Sequence, residues 1–184
     1  MQTLAHHLLD VMVNSLEAGA TEIDVTIRES IEKNVFRFLV EDDGCGMDKK
    51  LVKMAAEKGI TTKVGKDRGW GLYLLKTMTE ECEGTFQLSS HAGKSTRMEW
   101  TVKHDSDKRK PLGDISGVIA DFIYAHKDID VRFTYATEEA TFSFFLPAMS
   151  YMYDLEKFES SSDLKRLKRV LEKNLVRINY NKAV

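Results

Sequence analysis

Two short stretches near the start of the chain, EIDVTIR at residues 22 to 28 and NVFRFLV at residues 34 to 40, restrict the possible folds most. The first alternates polar and apolar side chains, the period of a half-buried strand. The second reads as another strand, and the short polar loop between them predicts a hairpin. The segment before them is a helix by its spacing: Leu4, Leu8 and Val11 form one stripe, with Leu9, Met12 and Leu16 beside it. Gly19 is well placed to end that helix.

The pattern continues with a short helix over residues 49 to 58 and a polar, glycine-bearing stretch from Gly59 to Gly71 that reads as a mobile loop. A helix over 72–82 and strands near 85–90 and 96–103 complete the series. This order predicts an α+β two-layer sandwich, with helices on one face of a mixed sheet. His104 to Leu112 is charged and contains a proline, as a linker would. Ile115, Val118, Ile119, Phe122 and Ile123 then mark a helix starting near Asp114. DVRFTYATEEATFSFFL predicts a hairpin with its turn in Thr137–Ala140. The tail after Ser160 is an amphipathic helix, with Leu164, Leu167, Val170 and Leu171 on one face. The C-terminal extension is thus helix, hairpin, helix, and the sequence contains no internal repeat.

A chain of 184 residues with 42% apolar and 30% charged side chains suits an ordinary globular protein. Its net charge of −2 argues neither for nor against a nucleic-acid partner, and none is expected. Cys45 and Cys82 are too few for a disulfide framework, which favours a reducing, cytoplasmic compartment. MQTLAHHLLD does not read as a signal peptide, and no apolar run approaches the roughly 20 residues that span a bilayer.

Three polar clusters interrupt this framework. Asp10 and Asn14, four residues apart on the first helix, point the same way into whatever that face lines. They equally suit the wet side of an apolar helix. Asp42, Gly44, Gly46 and Met47 follow the second strand, where glycine lets backbone pass close to a ligand; a tight acidic turn has the same composition. Gly69, Trp70, Gly71 and Leu72 run into a helix, whose first amides and dipole favour an anion. Many helices start after glycine, so this third cluster means little alone.

In this order the clusters resemble the GHKL superfamily of ATPases, which share the Bergerat nucleotide-binding fold. VNSLEAGATEIDVTI is similar to the corresponding MutL segment, GITTKVGKDRGWGLYLLK to the lid and second glycine box of sensor histidine kinases, and GKSTRMEWTV to the strand closing the kinase site. The resemblance spans roughly residues 1 to 103. It implies an ATP-binding domain over 1–105. The residue pattern beyond it predicts a helix-plus-hairpin extension over 106–150, too short to fold alone and so expected in the same folded unit, and a C-terminal amphipathic helix over 151–184.

The resemblance also implies roles. Asn14 would be the Mg²⁺ ligand, and Asp10 falls where the superfamily's ATPases place a glutamate that activates water. Asp42 would accept a hydrogen bond from the adenine amine, Gly46 would give the base room, and Thr96 would support adenine directly or through water. Lys63, and also Lys66, would reach the phosphates from the lid. Gly69, Gly71 and Leu72 would cradle them, and Met47 and Ile60 would touch the base or belong to the core. Asp10 is one methylene shorter than glutamate, which sets its carboxylate roughly 1.5 Å further from the water. Asp67 stands where the kinase glycine box usually has an additional glycine, and no helical hairpin carrying a phospho-accepting histidine is expected ahead of the site. His6 and His7 are expected to be one solvated and one packed histidine.

The expected function is binding of ATP and ADP, with slow Mg²⁺-dependent hydrolysis and a switch role toward an unidentified protein partner. The alternatives are a stand-alone kinase acting in trans, as anti-sigma-factor kinases do, and an inactive ATP-binding regulator. The tail from Ser162 to Val184 holds seven basic residues against Asp163 and Glu172, and suits either a solvated face or an acidic partner.

Overall fold

The computed structural model describes residues 3–55, 57, 71–149 and 159–178. Its elements are α1 (Leu4–Glu17), β1 (Glu22–Ser30), β2 (Val35–Asp42), α2 (Lys49–Ala55), α3 (Gly71–Glu81), β3 (Phe86–His91), β4 (Ser95–Lys103), α4 (Ile115–Ala125), β5 (Asp130–Ala136), β6 (Thr141–Phe145), α5 (Leu146–Met149) and α6 (Ser161–Arg177). The six strands form one sheet in the order β3-β4-β2-β1-β5-β6. Every neighbouring pair is antiparallel except β1 and β5, which run parallel from Glu22↔Asp130 to Arg28↔Ala136.

Alternation decides which face of the sheet is covered. Ile23, Val25 and Ile27 of β1, Phe36, Phe38 and Val40 of β2, and Met98, Trp100 and Val102 of β4 are all buried. They join a single core with Leu8 and Met12 of α1, Leu75 of α3, Ile119 of α4 and Leu171 of α6. Phe38 and Trp100 stack within it, ring centroids 5.0 Å apart and 2° from parallel. The opposite face carries charge: Arg97 bridges Glu41 and Glu99, and Arg37 pairs with Glu99 through two hydrogen bonds of 2.6 and 2.8 Å. The molecule is therefore the expected α+β sandwich, with helices on one face of a mixed sheet.

Local chemistry sets the helix starts. Thr3 caps α1 in a reciprocal box with His6, which stays exposed while His7 is buried. Asp114 caps α4 by accepting from the Gly117 amide at 2.8 Å. Ser160 and Asp163 form a capping box on α6. The apolar stripe of α6, Leu167, Leu171 and Leu175, is buried against α4, and Lys168 pairs with Asp121 at 2.8 Å. Lys165, Arg166, Arg169, Lys173 and Arg177 remain on its exposed side.

The C-terminal hairpin extends the main sheet, since β5 lies beside β1 and its turn closes through Thr137 N–H donating to the Ala140 carbonyl. The segment before α4 also holds α1: the Leu4 and Ala5 amides donate to the Pro111 and Leu112 carbonyls, each at 2.9 Å. At the far end of the sheet a buried carboxylate, Glu29, accepts from the Tyr135 hydroxyl at 2.8 Å and meets His104 Nε2 at 3.0 Å. No helix among the described residues is long and apolar enough to cross a membrane.

Candidate functional site

At one end of the sheet the inward-facing stripes change character. Phe36, Phe38 and Val40 lead along β2 to Asp42, Trp100 and Met98 lead along β4 to Thr96, and Phe86 and Leu88 lead along β3 to Ser90. Register places the three polar residues side by side, because Asp42 pairs with Thr96 and Thr96 with Ser90. Ile23 of β1 completes the row on the other side of Asp42. Directly opposed residues on antiparallel strands share a face, with Cβ atoms about 5 Å apart. The polar row is therefore a direct extension of the core-facing surface.

Helix α1 runs over this row. The Ser15 hydroxyl, buried on α1, donates to Oδ2 of Asp42 at 2.6 Å, and the Gly44 amide donates to Oδ1 at 3.0 Å. Asn14, the neighbour of Ser15, is half-buried, and Asp10 one turn earlier is exposed. Gly71 is exposed and Leu72 half-buried at the start of α3, which packs against α1.

The turn after β2 is wedged between the end of α1 and the β3–β4 turn. The Cys45 amide donates to the Ala18 carbonyl at 2.9 Å, and the Gly93 amide donates to the Cys45 carbonyl at 2.6 Å. Gly46 has φ +61°, and a Cβ there would collide with the backbone carbonyl of His91. At Gly44 a Cβ would stand 2.9 Å from the Ala18 Cβ and 3.0 Å from Asp42 Oδ1. The glycines thus answer a local need for close backbone approach. Asp43 has a different task. Its carboxylate accepts from the Thr21 amide at 2.7 Å, the Thr21 hydroxyl at 2.6 Å and the Glu22 amide at 2.8 Å. Burial pushes its carboxyl upward, but these bonds outweigh that and hold it below the usual range.

Met47, half-buried, donates its amide to Ser90 Oγ at 2.8 Å. Ser90 Oγ donates to the Ser95 carbonyl at 2.7 Å and lies 3.0 Å from Thr96 Oγ1. Asp42, Gly44, Gly46, Met47 and Thr96 therefore gather at one end of the sheet. Asp10 and Asn14 lie on the helix that Ser15 ties to Asp42. Ile60, Lys63, Lys66, Gly69 and Trp70, with the stretch read as a mobile loop, fall outside the described residues. Sequence reasoning missed Ser15 and Ser90. Their one available signal was position: Ser15 sits on the apolar side of α1, and Ser90 continues the inward stripe of Phe86 and Leu88.

A mixed sheet backed by helices on one face, with this polar row under the first helix, defines the two-layer sandwich of the GHKL class. Residues 2–106 match the family of histidine kinase-, DNA gyrase B-, and HSP90-like ATPases, and the chain belongs to that family. It is 31% identical over 96 residues to a probable C4-dicarboxylate sensor kinase of Bacillus subtilis, covering 50% of this chain and 18% of the relative. It is 34% identical over 76 residues to the DNA mismatch repair protein MutL of Caulobacter vibrioides, covering 40% of this chain and 12% of that protein. The chain thus spans less than a fifth of either relative. Among solved structures, the N-terminal domain of a DNA repair protein superposes with a TM-score of 0.50 at 15% identity, covering 79% of this chain and 52% of that one. At that identity the likeness concerns the fold alone.

Proposed function

We propose that the chain binds ATP with Mg²⁺ between α1 and the polar end of the sheet, and hydrolyses it slowly as a nucleotide-dependent switch on a protein partner. The observation carrying this reading is the juxtaposition of Asp42 and Thr96 under α1, beside a turn where Gly46 cannot bear a side chain. Both Asp42 oxygens already accept one hydrogen bond, and each keeps a further lone pair for a donor such as an amine. Gly44 and Gly46 let the turn close against Ala18 and His91, which fixes the backbone beside Asp42.

Asn14 fits the role of metal ligand through its amide oxygen, since Mg²⁺ keeps several waters and takes few protein ligands. The metal would supply charge neutralisation at the phosphates. Asp10, exposed one turn earlier, would accept the proton of an attacking water. Its short side chain fits a slow reaction, because misplacement by about 1 Å can cost roughly 100-fold in rate. Gly69, Gly71 and Leu72 would hold the phosphates at the start of α3, with Lys63 reaching them from the preceding segment.

The test is calorimetry with ATP, ADP and GTP, with and without Mg²⁺, together with phosphate release. Binding of ATP over GTP by roughly 5- to 150-fold is expected, the equivalent of about 1–3 kcal/mol for two acceptors forced together. Asp42→Asn should weaken ATP by a similar factor. Asp10→Asn should keep affinity within a few-fold and abolish hydrolysis. Equal affinity for ATP and GTP would sink the base-reading role, and no binding at millimolar ATP would sink the whole proposal.

The similarity to a sensor kinase favours a second reading, phosphoryl transfer in trans to a separate protein. Labelled ATP incubated with the protein and cell lysate separates the two, because transfer labels a protein band while hydrolysis releases free phosphate.

A further inference from the structure

We propose that Ser90 is a positioning residue: it fixes the direction of the Thr96 hydroxyl, so that the row beside the base offers acceptors only and selects a purine with an exocyclic amine. The inference rests on the nucleotide reading above and adds to it a residue that touches no ligand.

A serine hydroxyl has one proton and two lone pairs. At Ser90 the proton is committed to the Ser95 carbonyl at 2.7 Å, since a carbonyl can only accept. One lone pair receives the Met47 amide at 2.8 Å, since a backbone N–H can only donate. What remains for Thr96, 3.0 Å away, is the second lone pair. Thr96 therefore donates to Ser90, and its own oxygen presents only lone pairs. Asp42, its direct partner across β2 and β4, has its polarity fixed in the same way by donors from Ser15 and Gly44. Two neighbouring acceptors suit an amine, or a water that donates to both. They disfavour a carbonyl, which leaves acceptor facing acceptor. The two backbone groups that lock Ser90 flank Gly46: Met47 follows it in the chain, and the Ser95 carbonyl would stand 3.0 Å from a Cβ there.

With Ser90 removed, the Thr96 hydroxyl can rotate and donate, and a 6-carbonyl purine becomes acceptable. The experiment compares ATP with inosine triphosphate, which carries a carbonyl in place of the amine, by calorimetry on the whole chain. Ser90→Ala and Ser90→Cys should each lower the ATP preference by roughly three- to tenfold, the worth of one neutral hydrogen bond. Ser90→Thr, which keeps the hydroxyl, should restore it. In a Thr96→Val background, Ser90→Ala should leave the preference unchanged, because Ser90 acts through Thr96. A general loosening of the turn would weaken both nucleotides alike and leave the ratio intact. A wild-type ratio in Ser90→Ala or Ser90→Cys, or an equal drop with and without Thr96, overturns this proposal while the nucleotide reading stands. Absence of any ATP preference in the wild-type protein overturns this proposal together with the base-reading role of Asp42, and absence of any ATP binding overturns the nucleotide reading itself.

Discussion

Ser15 Oγ and Asp42 Oδ2 stand 2.6 Å apart, and this hydrogen bond joins the helix bearing Asp10 and Asn14 to the end of β2. Ser15 also leans toward the Val11 carbonyl at 3.4 Å, but a short bond to a carboxylate is the stronger claim on its proton. Ser15→Ala should therefore loosen Asp42 without emptying the site. We expect ATP to bind about 1–2 kcal/mol more weakly, roughly 5- to 30-fold, with GTP affected less. Calorimetry on both nucleotides checks this, and an equal loss for both would make Ser15 a purely structural residue.

Gly46→Ala tests the turn itself. The left-handed backbone costs a non-glycine residue about 1–2 kcal/mol, and the collision with the His91 carbonyl adds an overpacking cost of about 1–3 kcal/mol. A destabilisation of about 2–5 kcal/mol is expected from urea unfolding. Gly93→Ala is the control: its φ is +74° but its surroundings are open, so it should lose only the backbone part.

Acid should destabilise the protein in two steps. Burial pushes the His7 imidazole below its ordinary value, so the unfolded chain takes up a proton first as pH falls below about 6.5. The stability contributed by neutral His7 is complete above that pH and drains away below it, down to the folded value. Glu99 is held low by its hydrogen bond from Arg37, and Asp43 by the bonds from Glu22 and Thr21 that outweigh its burial. Their contribution is present above the unfolded carboxylate range near about 4 and is lost as pH falls through the folded values. Urea unfolding at a series of pH values should show both limbs. His7→Gln should flatten the first and Glu99→Gln part of the second.

We further propose that residues 106–150 belong to the same cooperative unit as residues 1–105. The full chain should unfold in one transition, and the 1–105 fragment, with one edge of β1 unpaired, should be markedly less stable. Two transitions, with the fragment as stable alone as in the chain, would contradict this.

The fold was legible wherever side chains alternate cleanly. EIDVTIR and FRFLV declare both their strand character and their buried face, and α1, α4 and α6 begin at the capping residues Thr3, Asp114 and Ser160. Beyond the two hairpins, β1–β2 and β5–β6, pairing across the sheet was not legible. That β5 would lie parallel to β1 depends on a long crossover through α4, which local periodicity does not encode. At the site, the glycines and Asp42 stood out because their chemistry is unusual after an apolar strand. Ser15 and Ser90 did not, since an isolated serine reads as ordinary polarity until a partner from a distant segment is known. Asp43 was invisible as a separate role because it shares a turn with Asp42, yet its side chain points to a different loop.

The parallel pairing of β1 with β5 also has a consequence for biosynthesis. Glu22 leaves the ribosome early, but its partner Asp130 follows only after the intervening chain has been made. At about 5–20 residues per second that wait is roughly 5 to 20 seconds. Throughout it, the row of amides and carbonyls along one side of β1 has only water as a partner and is open to another extended peptide. A nascent chain stalled between α4 and β5 would display that edge indefinitely, so the quality of folding in the cell depends on prompt delivery of residues 130–136.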